Sequence, residues 1–519
     1  MLPIMKTHPC TENMEHRGAT VWTVSDIRPE EIASCCAALK EMGYEEFERR
    51  ERKDSRYIAF RKGEDGVFLN YYEPLSLLTV VREEKSEYFD FSCEAGDSVV
   101  SAQITQIDLE DFGMSYVIRL PDGRFLVIDG GRPFEPDAEK LFNCLKKGTS
   151  VGRPVIAAWI MSHPHSDHFQ CFIPFMDRYG EEVEIQRYLF NFPEADDLAH
   201  YPKLNVGDPR FGDNSSTTTL PMMLARMEAS GGKIFTPHTG QVYQIGDARC
   251  EILSSMDDTV HVSDNINATS LVIRMELAGQ VILFTTDCPF SIARLPERYG
   301  EYLKADILQV PHHGFQSGTA EAEIRGYKLI RPGVCLLPVS DFNAFTVFCN
   351  YRRGTRFLYR DLGIDELITG SENRTITLPY SAPAYKRAEL ERRCMTGLDD
   401  AGATSWIFSE LSTARESDFV FTVLNTTHVD AVVWIELFFE DPKRKVRMIK
   451  TVVGSCRIRR LNIVDEADVD GDALWFKWLT LKEQGVPENV PFAVRFRCDI
   501  PIVVSHAEHR ETYRSPMNR

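Results

Sequence analysis

Residues 155–168 read VIAAWIMSHPHSDH, an apolar run that ends in a cluster of histidines. The apolar part has the length and the residue types of a buried strand. Three histidines and one aspartate then fall within six residues, namely His163, His165, Asp167 and His168. The whole chain has 13 histidines in 519 residues, so a polar loop that merely happens to be rich in histidine is the weaker interpretation. We expect a metal site at the end of this strand.

The spacing inside this cluster suits two metal ions. His163 and His165, two positions apart, can bind one ion from a single loop. Asp167 and His168 point the other way, so they can bind a second ion close to the first. The remaining ligands must then come from other strands of the fold.

Two later strands end in residues of the same kind. The apolar run 281–286 is followed by Asp287, whose carboxylate can bridge two ions. The run 307–310 is followed, after one proline, by His312 and His313. Alone, the aspartate would be a cap or turn residue and the histidine pair a surface feature. Together with the first cluster, they are predicted to complete the metal site.

The chain divides into three regions of different texture. Residues 1–95 combine one helical pattern with short strands, which predicts a small α+β module without evident chemistry. Within them, residues 1–13 look like an unstructured leader before Met14. Residues 96–390 alternate strands with helices and contain the metal motif, which predicts an α/β layer fold. Residues 403–519 consist almost entirely of strand patterns and predict a β-sandwich.

Composition restricts the class of protein. Hydrophobic residues make up 43% and charged residues 26% of the chain, as in ordinary globular proteins, so general disorder and fibrous structure are excluded. The net charge of −18 at pH 7 disfavours avid binding to nucleic acid. The 13 cysteines form an odd, scattered set, and no stretch is apolar for long enough to span a membrane. We expect a cytoplasmic protein with no membrane partner.

Residues 101–330 resemble the metallo-β-lactamase fold, in the branch represented by the hydrolase domain of bacterial DNA-uptake channel proteins and by phosphorylcholine esterases. The matching motifs, in chain order, are DFGMSYVI (111–118), FLVIDGG (125–131), SHPHSDH (162–168), NATSLVIRMELAGQVILFTTD (267–287) and ADILQVPHHG (305–314). The resemblance implies an αββα sandwich whose metal site lies at one edge of its two sheets. It also implies two divalent ions, with zinc as the first choice and manganese or iron as alternatives.

The resemblance implies a role for each residue of the site. The predicted ligands are His163 and His165 for the first ion, Asp167, His168 and His312 for the second, and Asp287 as the bridge. Either His312 or His313 would complete the second site; we assign His312 as the ligand and His313 as the residue that donates a proton to the leaving group or contacts the substrate. Asp167 would also orient a metal-bound hydroxide. Asp129 and Asn267 would support the ligands from outside the metal shell.

The chain departs from many relatives of this family at the first ion. They supply a third histidine, whereas Asn267 followed by Ala268 stands at the equivalent place here. His238 and His261 are candidate substitutes, and the alternative is that both are exposed loop histidines. Unless one of them serves, the first ion has few protein ligands and partial occupancy is expected.

The last region has a resemblance of its own. LNTTHVDA (424–431) and FAVRFRCDIPIVVSH (492–506) are similar to the sensory rhodopsin transducer family of small β-sandwich domains. The resemblance implies a module without catalytic residues that binds a small, sugar-like molecule or assembles as a homo-oligomer. The candidate ligand contacts are Asn425, Arg460, Arg497 and His506. The alternative is that these four are strand-end or hairpin residues.

These patterns predict a metal-dependent hydrolase with a dinuclear zinc site. We expect a metal-bound hydroxide to attack a phosphodiester in a small or short substrate, because the net charge disfavours a long nucleic acid. Loops 191–222 and 341–360 are expected to wall the pocket. The alternatives are a lactone or other ester substrate, and a non-catalytic metabolite sensor or scaffold that works through the C-terminal module.

Overall fold

The computed structural model describes most of the chain. The described residues are 2–150, 152–194, 215–259, 261–263, 265–315, 318–341, 343–349, 353–395, 403–412, 417–427, 429–440, 447–462 and 491–510. They divide into two units, Met1–Leu390 and Glu391–Arg519. Among the described helices, none combines the length and the apolar character needed to cross a membrane.

The first unit begins with an antiparallel sheet and one helix. Its elements are β1 (Cys10–His16), β2 (Ala19–Val24), α1 (Glu31–Glu41), β3 (Glu45–Glu51), β4 (Ser55–Lys62), β5 (Asp65–Tyr72) and β6 (Leu77–Glu83). The strands lie in the order β1-β2-β6-β5-β4-β3. The predicted unstructured leader is wrong, because residues 3–6 form a 3₁₀ helix and Leu2, Ile4 and Met5 are buried in the core of this sheet.

Two further sheets follow in the same unit. The strands of the first are β7 (Gln103–Gln106), β8 (Ser115–Arg119), β9 (Phe125–Asp129), β10 (Val155–Ile160), β11 (Glu184–Ile185), β12 (Arg187–Leu189), β13 (Lys233–Phe235) and, later in the chain, β21 (Arg374–Thr377). Those of the second are β14 (Val242–Ile245), β15 (Ala248–Ser254), β16 (Val272–Leu277), β17 (Gln280–Phe284), β18 (Ile307–Gln309), β19 (Val334–Leu337) and β20 (Glu366–Thr369). The first sheet has the order β13-β12-β10-β9-β8-β7-β21 with β11 beside β10, and the second follows chain order from β14 to β20.

One apolar core joins these two sheets. Tyr116 and Ile118 of β8 belong to the same buried cluster as Ile273 and Met275 of β16. Side chains alternate along a strand, so Val117 lies on the opposite face of β8, in a second cluster. That cluster includes the buried faces of the helices α2 (Glu135–Gly148), α4 (Phe172–Tyr179) and α5 (Ser216–Ser230).

Of the other described α-helices, one connects the parallel strands β18 and β19, one follows β21 and extends past Leu390, and the rest are short. In chain order, these helices are α3 (Ser166–Phe169), α6 (Phe290–Ala293), α7 (Leu295–Tyr299), α8 (Ala320–Ile330), α9 (Thr355–Phe357) and α10 (Ala384–Met395). Two π-helical turns lie at Asn343–Val347 and Leu358–Leu362. The predicted mixed α/β class is confirmed.

The second unit is a curved, barrel-like sheet. Its strands are β22 (Ala403–Ser412), β23 (Ser417–Asn425), β24 (Ala431–Phe439), β25 (Arg447–Val453), β26 (Arg457–Asn462) and β27 (Pro491–Arg510). β27 is a single strand of 20 residues. Its first part pairs with β22 and β24 and its second part with β23. β27 therefore links the described strands of this unit.

Candidate metal centre

The ends of two pairs of parallel strands supply the metal-binding motifs. Strands β9 and β10 are parallel, and Asp129 and the histidine cluster follow at the same edge of the first sheet. Strands β17 and β18 are also parallel, and Asp287 and the pair His312 and His313 follow their ends in the second sheet. Parallel strands deliver their C-terminal residues to one edge, which brings distant parts of the sequence together.

A first group of donors consists of His163, His165 and Asp287. His163 Nε2 lies 3.1 Å from His165 Nδ1. It also lies 3.7 Å from Asp287 Oδ2. His163 and Asp287 are almost completely buried. The three side chains thus present two imidazole nitrogens and one carboxylate oxygen to a common point.

A second group consists of Asp167, His168 and His313. His168 Nε2 lies 3.1 Å from His313 Nε2, and His313 Nε2 lies 3.5 Å from Asp167 Oδ2. Asp287 contacts this group as well, because its Oδ2 is 3.2 Å from His168 Nε2 and its Oδ1 is 3.5 Å from His313 Nε2. Asp287 therefore lies between the two groups, where a bridging ligand would lie.

These separations fit a divalent cation bound by nitrogen and oxygen. Ligands about 2.1 Å from a tetrahedral zinc ion are about 3.4 Å from one another. The donor atoms within each group lie within 4.8 Å of one another, and six of the separations, including those from Asp287 to the second group, are 3.1 to 3.7 Å. A set of imidazoles and carboxylates suits zinc first, and manganese or iron as well. The residues present therefore fit the two ions that the motifs predict.

The charges in the cluster are strongly coupled. Burial would raise the pKa of Asp287, but the imidazoles of His168 and His313 outweigh burial and hold that pKa well below its usual range. Burial would lower the pKa of His168, but the carboxylates of Asp287 and Asp129 raise it well above its usual value. Burial lowers the pKa of His165 to about 4. The buried carboxylates thus need positive charge next to them, which His168 or a metal ion provides.

The structure distinguishes His312 from His313. His313 belongs to the second donor group and is buried, whereas His312 Nε2 lies 3.8 Å from Asp287 Oδ2 and 3.2 Å from Asn267 Nδ2. The side chain of His312 is 24% exposed, which places it at the mouth of the site. In this geometry His313, and not His312, is one of the three donors of the second group.

Asp129 fixes the metal loop from behind. Its Oδ1 accepts from the backbone N–H of Ser162 at 2.7 Å, and its Oδ2 accepts from Ser162 Oγ and from His168 Nδ1, each at 2.7 Å. His168 is thereby oriented so that Nε2 faces the other donors. The backbone N–H groups of Gly130 and Gly131 both donate to the carbonyl of His168, which holds the loop close to the end of β9.

Four residues in or next to the donor set have a strained backbone. Asp129, Thr286, His312 and His313 have φ between 48° and 55°, in the left-handed region that side chains other than glycine rarely adopt. Such conformations persist where the surrounding structure imposes them, and they cluster at functional sites. The left-handed turn at His312 and His313 is what sends one ring into the donor group and the other to its mouth.

Two polar residues that support the site were missed in the sequence. Arg132, directly after the IDGG turn, donates from Nη1 to Ser166 Oγ at 3.1 Å, and its Nη2 lies 3.9 Å from Asp167 Oδ2. Gln309 is fully buried in β18, and its side chain accepts from the backbone N–H of Thr286 and donates to the Thr286 carbonyl, directly before Asp287. A polar residue inside the apolar run 307–310 was the only sequence signal for Gln309.

The two candidate substitutes for a third histidine lie elsewhere. His238 is buried between Asp257 and Glu83, with Nδ1 2.6 Å from Asp257 Oδ2 and Nε2 3.0 Å from Glu83 Oε1. Despite burial, these carboxylates raise the pKa of His238 to about 10. His261 is not part of either donor group among the described residues, and burial lowers its pKa. Of the predicted pocket walls, residues 195–214, 342 and 350–352 lie outside the described residues.

The four candidate ligand contacts of the C-terminal unit occupy different positions. Asn425 is fully buried, and its side-chain amide donates to the carbonyls of Val429, Val453 and Gly454, so it holds a turn together. Arg497 donates to Glu436 across β24 and β27. The ring of His506 lies 4.9 Å from that of Phe421. Arg460 is exposed on β26.

The comparisons with known proteins are clearest for the C-terminal unit. The family model named Anabaena sensory rhodopsin transducer matches residues 402–515, which is less than half of the chain. The solved structure of the Anabaena sensory rhodopsin transducer is 21% identical and covers 20% of this chain and 96% of its own, with a TM-score of 0.16. The comparison with curated proteins returned no match.

Two other solved structures align over a larger part of the chain. The short form of human tRNase Z is 12% identical and covers 54% of this chain and 100% of its own, with a TM-score of 0.30. A β-lactamase domain protein from Burkholderia ambifaria is 10% identical and covers 67% of this chain and 73% of its own, with a TM-score of 0.20. These TM-scores are too low for either structure to define the fold or the chemistry of this chain.

Proposed function

We propose that this protein is a metal-dependent hydrolase of the metallo-β-lactamase fold, with two divalent ions, zinc first, in the site described above. The observation that carries the proposal is the meeting of two three-donor groups at Asp287. The αββα arrangement is supported by two sheets that share one core and by helices packed on the outer face of the first sheet. The position of the donors at one edge of both sheets supports it too.

We assign the residues of the site different roles in such a reaction. When bound, two divalent ions supply an activated water and neutralise charge on the substrate oxygens. Asp129 holds the proton on His168 Nδ1, which keeps Nε2 directed at the other donors. Asp167, which Arg132 approaches from outside, is placed to orient a nucleophilic water. His312, oriented by Asn267 at the mouth, is placed to exchange a proton with the leaving group.

The bond we propose is a phosphodiester in a small or short substrate. The motif resemblance supports this bond, because the branch it points to acts on nucleic acids and phosphocholine esters. The net charge of −18 supports a small substrate over a long polyanion. A lactone serves as the comparison substrate, because hydrolysis of a lactone alone would contradict this choice of bond.

Elemental analysis of the full chain, purified without chelators, tests the proposal together with hydrolysis of bis-p-nitrophenyl phosphate and a simple lactone. We expect close to two ions per chain and turnover of the phosphodiester. Asp287→Asn should lose both, and Asp177→Asn, which alters a surface ion pair with Arg226, should lose neither. Absence of metal and of turnover after addition of zinc or manganese would overturn the proposal.

For the C-terminal unit we propose a role in binding a small ligand or in assembly. The support is the match of residues 402–515 to the transducer family model. Light scattering on the full chain measures whether it forms a homo-oligomer. A monomer that also fails to bind simple sugars would contradict both roles.

A further inference from the structure

Phenylalanine rings flank the metal donors on one side. The rings of Phe112 and Phe315 lie 5.1 Å apart in an edge-to-face arrangement, and Phe348 packs behind Phe315 at 4.8 Å. Phe348 is buried and belongs to the core, whereas Phe112 and Phe315 are only partly buried. We call Phe112 and Phe315 the ring wall. The partly exposed ring of Phe315 lies next to that of His312, at the mouth of the metal centre.

The ring wall is attached to the donor loops at both ends. On one side, the carbonyl of Phe112 accepts from Arg132 Nε at 3.2 Å, and the same guanidinium donates to Ser166 in the metal loop. Gly113 completes this attachment, because a Cβ there would lie 2.8 Å from the carbonyl of Asp167. The loop that carries Phe112 is thus packed directly against the loop that carries the ligands.

The other end of the wall is held by the histidine turn. The backbone N–H of Phe315 donates to the carbonyl of His312 at 2.7 Å, and the two rings lie 5.7 Å apart. Gly314 has a φ of 83°, and a Cβ there would lie 3.1 Å from Leu337 and 3.4 Å from Phe348. The wall is therefore positioned beside His312, at the mouth of the site, before any substrate binds.

We propose that the ring wall selects substrates that carry a planar unsaturated ring, an aryl group or a nucleobase, next to the scissile phosphoester. This inference rests on the proposed function and names the substrate class of the same site. Phenylalanine offers no hydrogen bond, so the wall can discriminate only by apolar and ring contacts. A planar ring in the substrate would bind through both kinds of contact. Ring pairs in edge-to-face or offset geometry attract each other more strongly than their buried apolar area alone predicts. Binding pockets of this kind combine an apolar wall with a few fixed polar groups.

Isothermal titration calorimetry tests the proposal by measuring the Kd of the zinc-loaded full chain for phenylphosphonate and for methylphosphonate. Both probes present the same anionic head group to the metal centre, and only one carries a ring. We expect phenylphosphonate to bind about ten-fold more tightly, the scale of a single ring contact. Phe315→Leu and Phe112→Leu keep an apolar side chain but remove the ring, and each should remove most of this preference. Phe47→Leu, in an exposed edge-to-face pair with Phe89 in the N-terminal sheet, should leave it unchanged.

The outcomes separate this inference from the proposed function. A chain that takes up no zinc would overturn the proposed function itself. A zinc-loaded chain that binds both phosphonates with equal Kd would overturn the ring preference alone. Persistence of the preference in both wall variants would also overturn it, because the ring contact would then lie elsewhere.

Discussion

Two clusters of buried histidine and carboxylate lie in the first unit, and they balance their charges in opposite ways. At His238, one imidazole lies between Asp257 and Glu83, so each ring nitrogen has a carboxylate partner. At the metal centre, imidazole nitrogens face each other at 3.1 Å, both between His163 and His165 and between His168 and His313. The first cluster is complete as an ion pair, whereas the second brings donor atoms together around a common point.

The difference separates His163 and His165 from His238. His168 shares the arrangement of His238, because its Nδ1 lies 2.7 Å from Asp129 Oδ2 and its Nε2 lies 3.2 Å from Asp287 Oδ2. Alternation of imidazole and carboxylate holds a proton on the histidine, which is why the pKa of His238 is raised to about 10. Convergence of several imidazoles instead lowers the pKa of some of them, as at His163 and His165, where burial and neighbouring imidazoles both act. Neutral imidazole is the form that binds a metal ion. The comparison is tested by substituting one residue in each cluster. Metal content and turnover are measured for the metal centre, and the free energy of unfolding is measured for the His238 cluster.

Asp287→Asn should have the largest effect. The amide keeps the shape of the side chain but removes the negative charge that lies between the two donor groups. We expect loss of bound metal and at least about a thousand-fold lower turnover, because positioning and activation of the nucleophile both depend on the ions. Elemental analysis and hydrolysis of bis-p-nitrophenyl phosphate measure the two losses. Full activity in this variant would place the reaction at another site.

His238→Gln should have the opposite pattern, with lower stability and unchanged metal content. Removal of the imidazole leaves the carboxylates of Glu83 and Asp257 without the cation between them, and breaking a buried ion pair costs about 3 kcal/mol. Urea unfolding of the full chain measures the change. The matched control is His8→Gln, because His8 pairs with Glu31 in a more exposed position and should contribute less than about 1 kcal/mol. Loss of metal from His238→Gln would contradict the separation of the two clusters.

The pH dependence of the free energy of unfolding tests whether His238 is charged in the folded protein. The pKa of His238 is raised from about 6.5 in the unfolded chain to about 10 in the folded one. Its stabilising contribution is therefore fully present below about pH 6.5 and is lost as the pH rises through about 10. We expect the difference in free energy of unfolding between wild type and His238→Gln to shrink steadily over this window. A difference that stays constant from pH 6.5 to 10 would show that His238 is not charged in the folded protein.

The strands that position the metal centre were predictable because each is an apolar run bounded by turn residues. The predicted apolar runs that begin at residues 155, 281 and 307 correspond to β10, β17 and β18. Pairings between distant strands were not predictable, as in β7 with β21, because local patterns do not record which edges meet. The prediction of an unstructured leader was wrong because three apolar residues are too few to form a periodic pattern. The N-terminal sheet nevertheless buries Leu2, Ile4 and Met5.

The residues of the candidate site that lie within a sequence motif could be predicted, and those outside a motif could not. The dense cluster at 162–168 and the strand-end position of Asp287 drew attention to the residues that the structure brings together. The choice between His312 and His313 depends on left-handed backbone at both, which no spacing rule encodes. His238 and Arg132 depend on partners distant in sequence, Glu83 for the first and Ser166 for the second.

Asp129→Asn should have an intermediate effect on the metal centre. Its carboxylate accepts from Ser162 and His168, and an asparagine amide would place a donor against one of these donors. Removal of such a supporting group lowers metal affinity by about 10- to 100-fold. Titration against a competing chelator measures the affinity directly. Unchanged affinity would mean that His168 is held in place by its ligand role alone.

Arg132→Lys should have the smallest effect, and it should lower the affinity for one of the two ions only. Arg132 donates to the carbonyl of Phe112 and to Ser166 while its guanidinium lies near Asp167, and a lysine ammonium cannot serve these directions at once. Loss of one such hydrogen bond is worth about 1 kcal/mol, so we expect about a five-fold weaker affinity for the ion next to Asp167. Arg153→Lys, in an exposed pair with Glu184, is the matched control. An equally weakened affinity for both ions would contradict this prediction, because Arg132 would then support the whole metal loop.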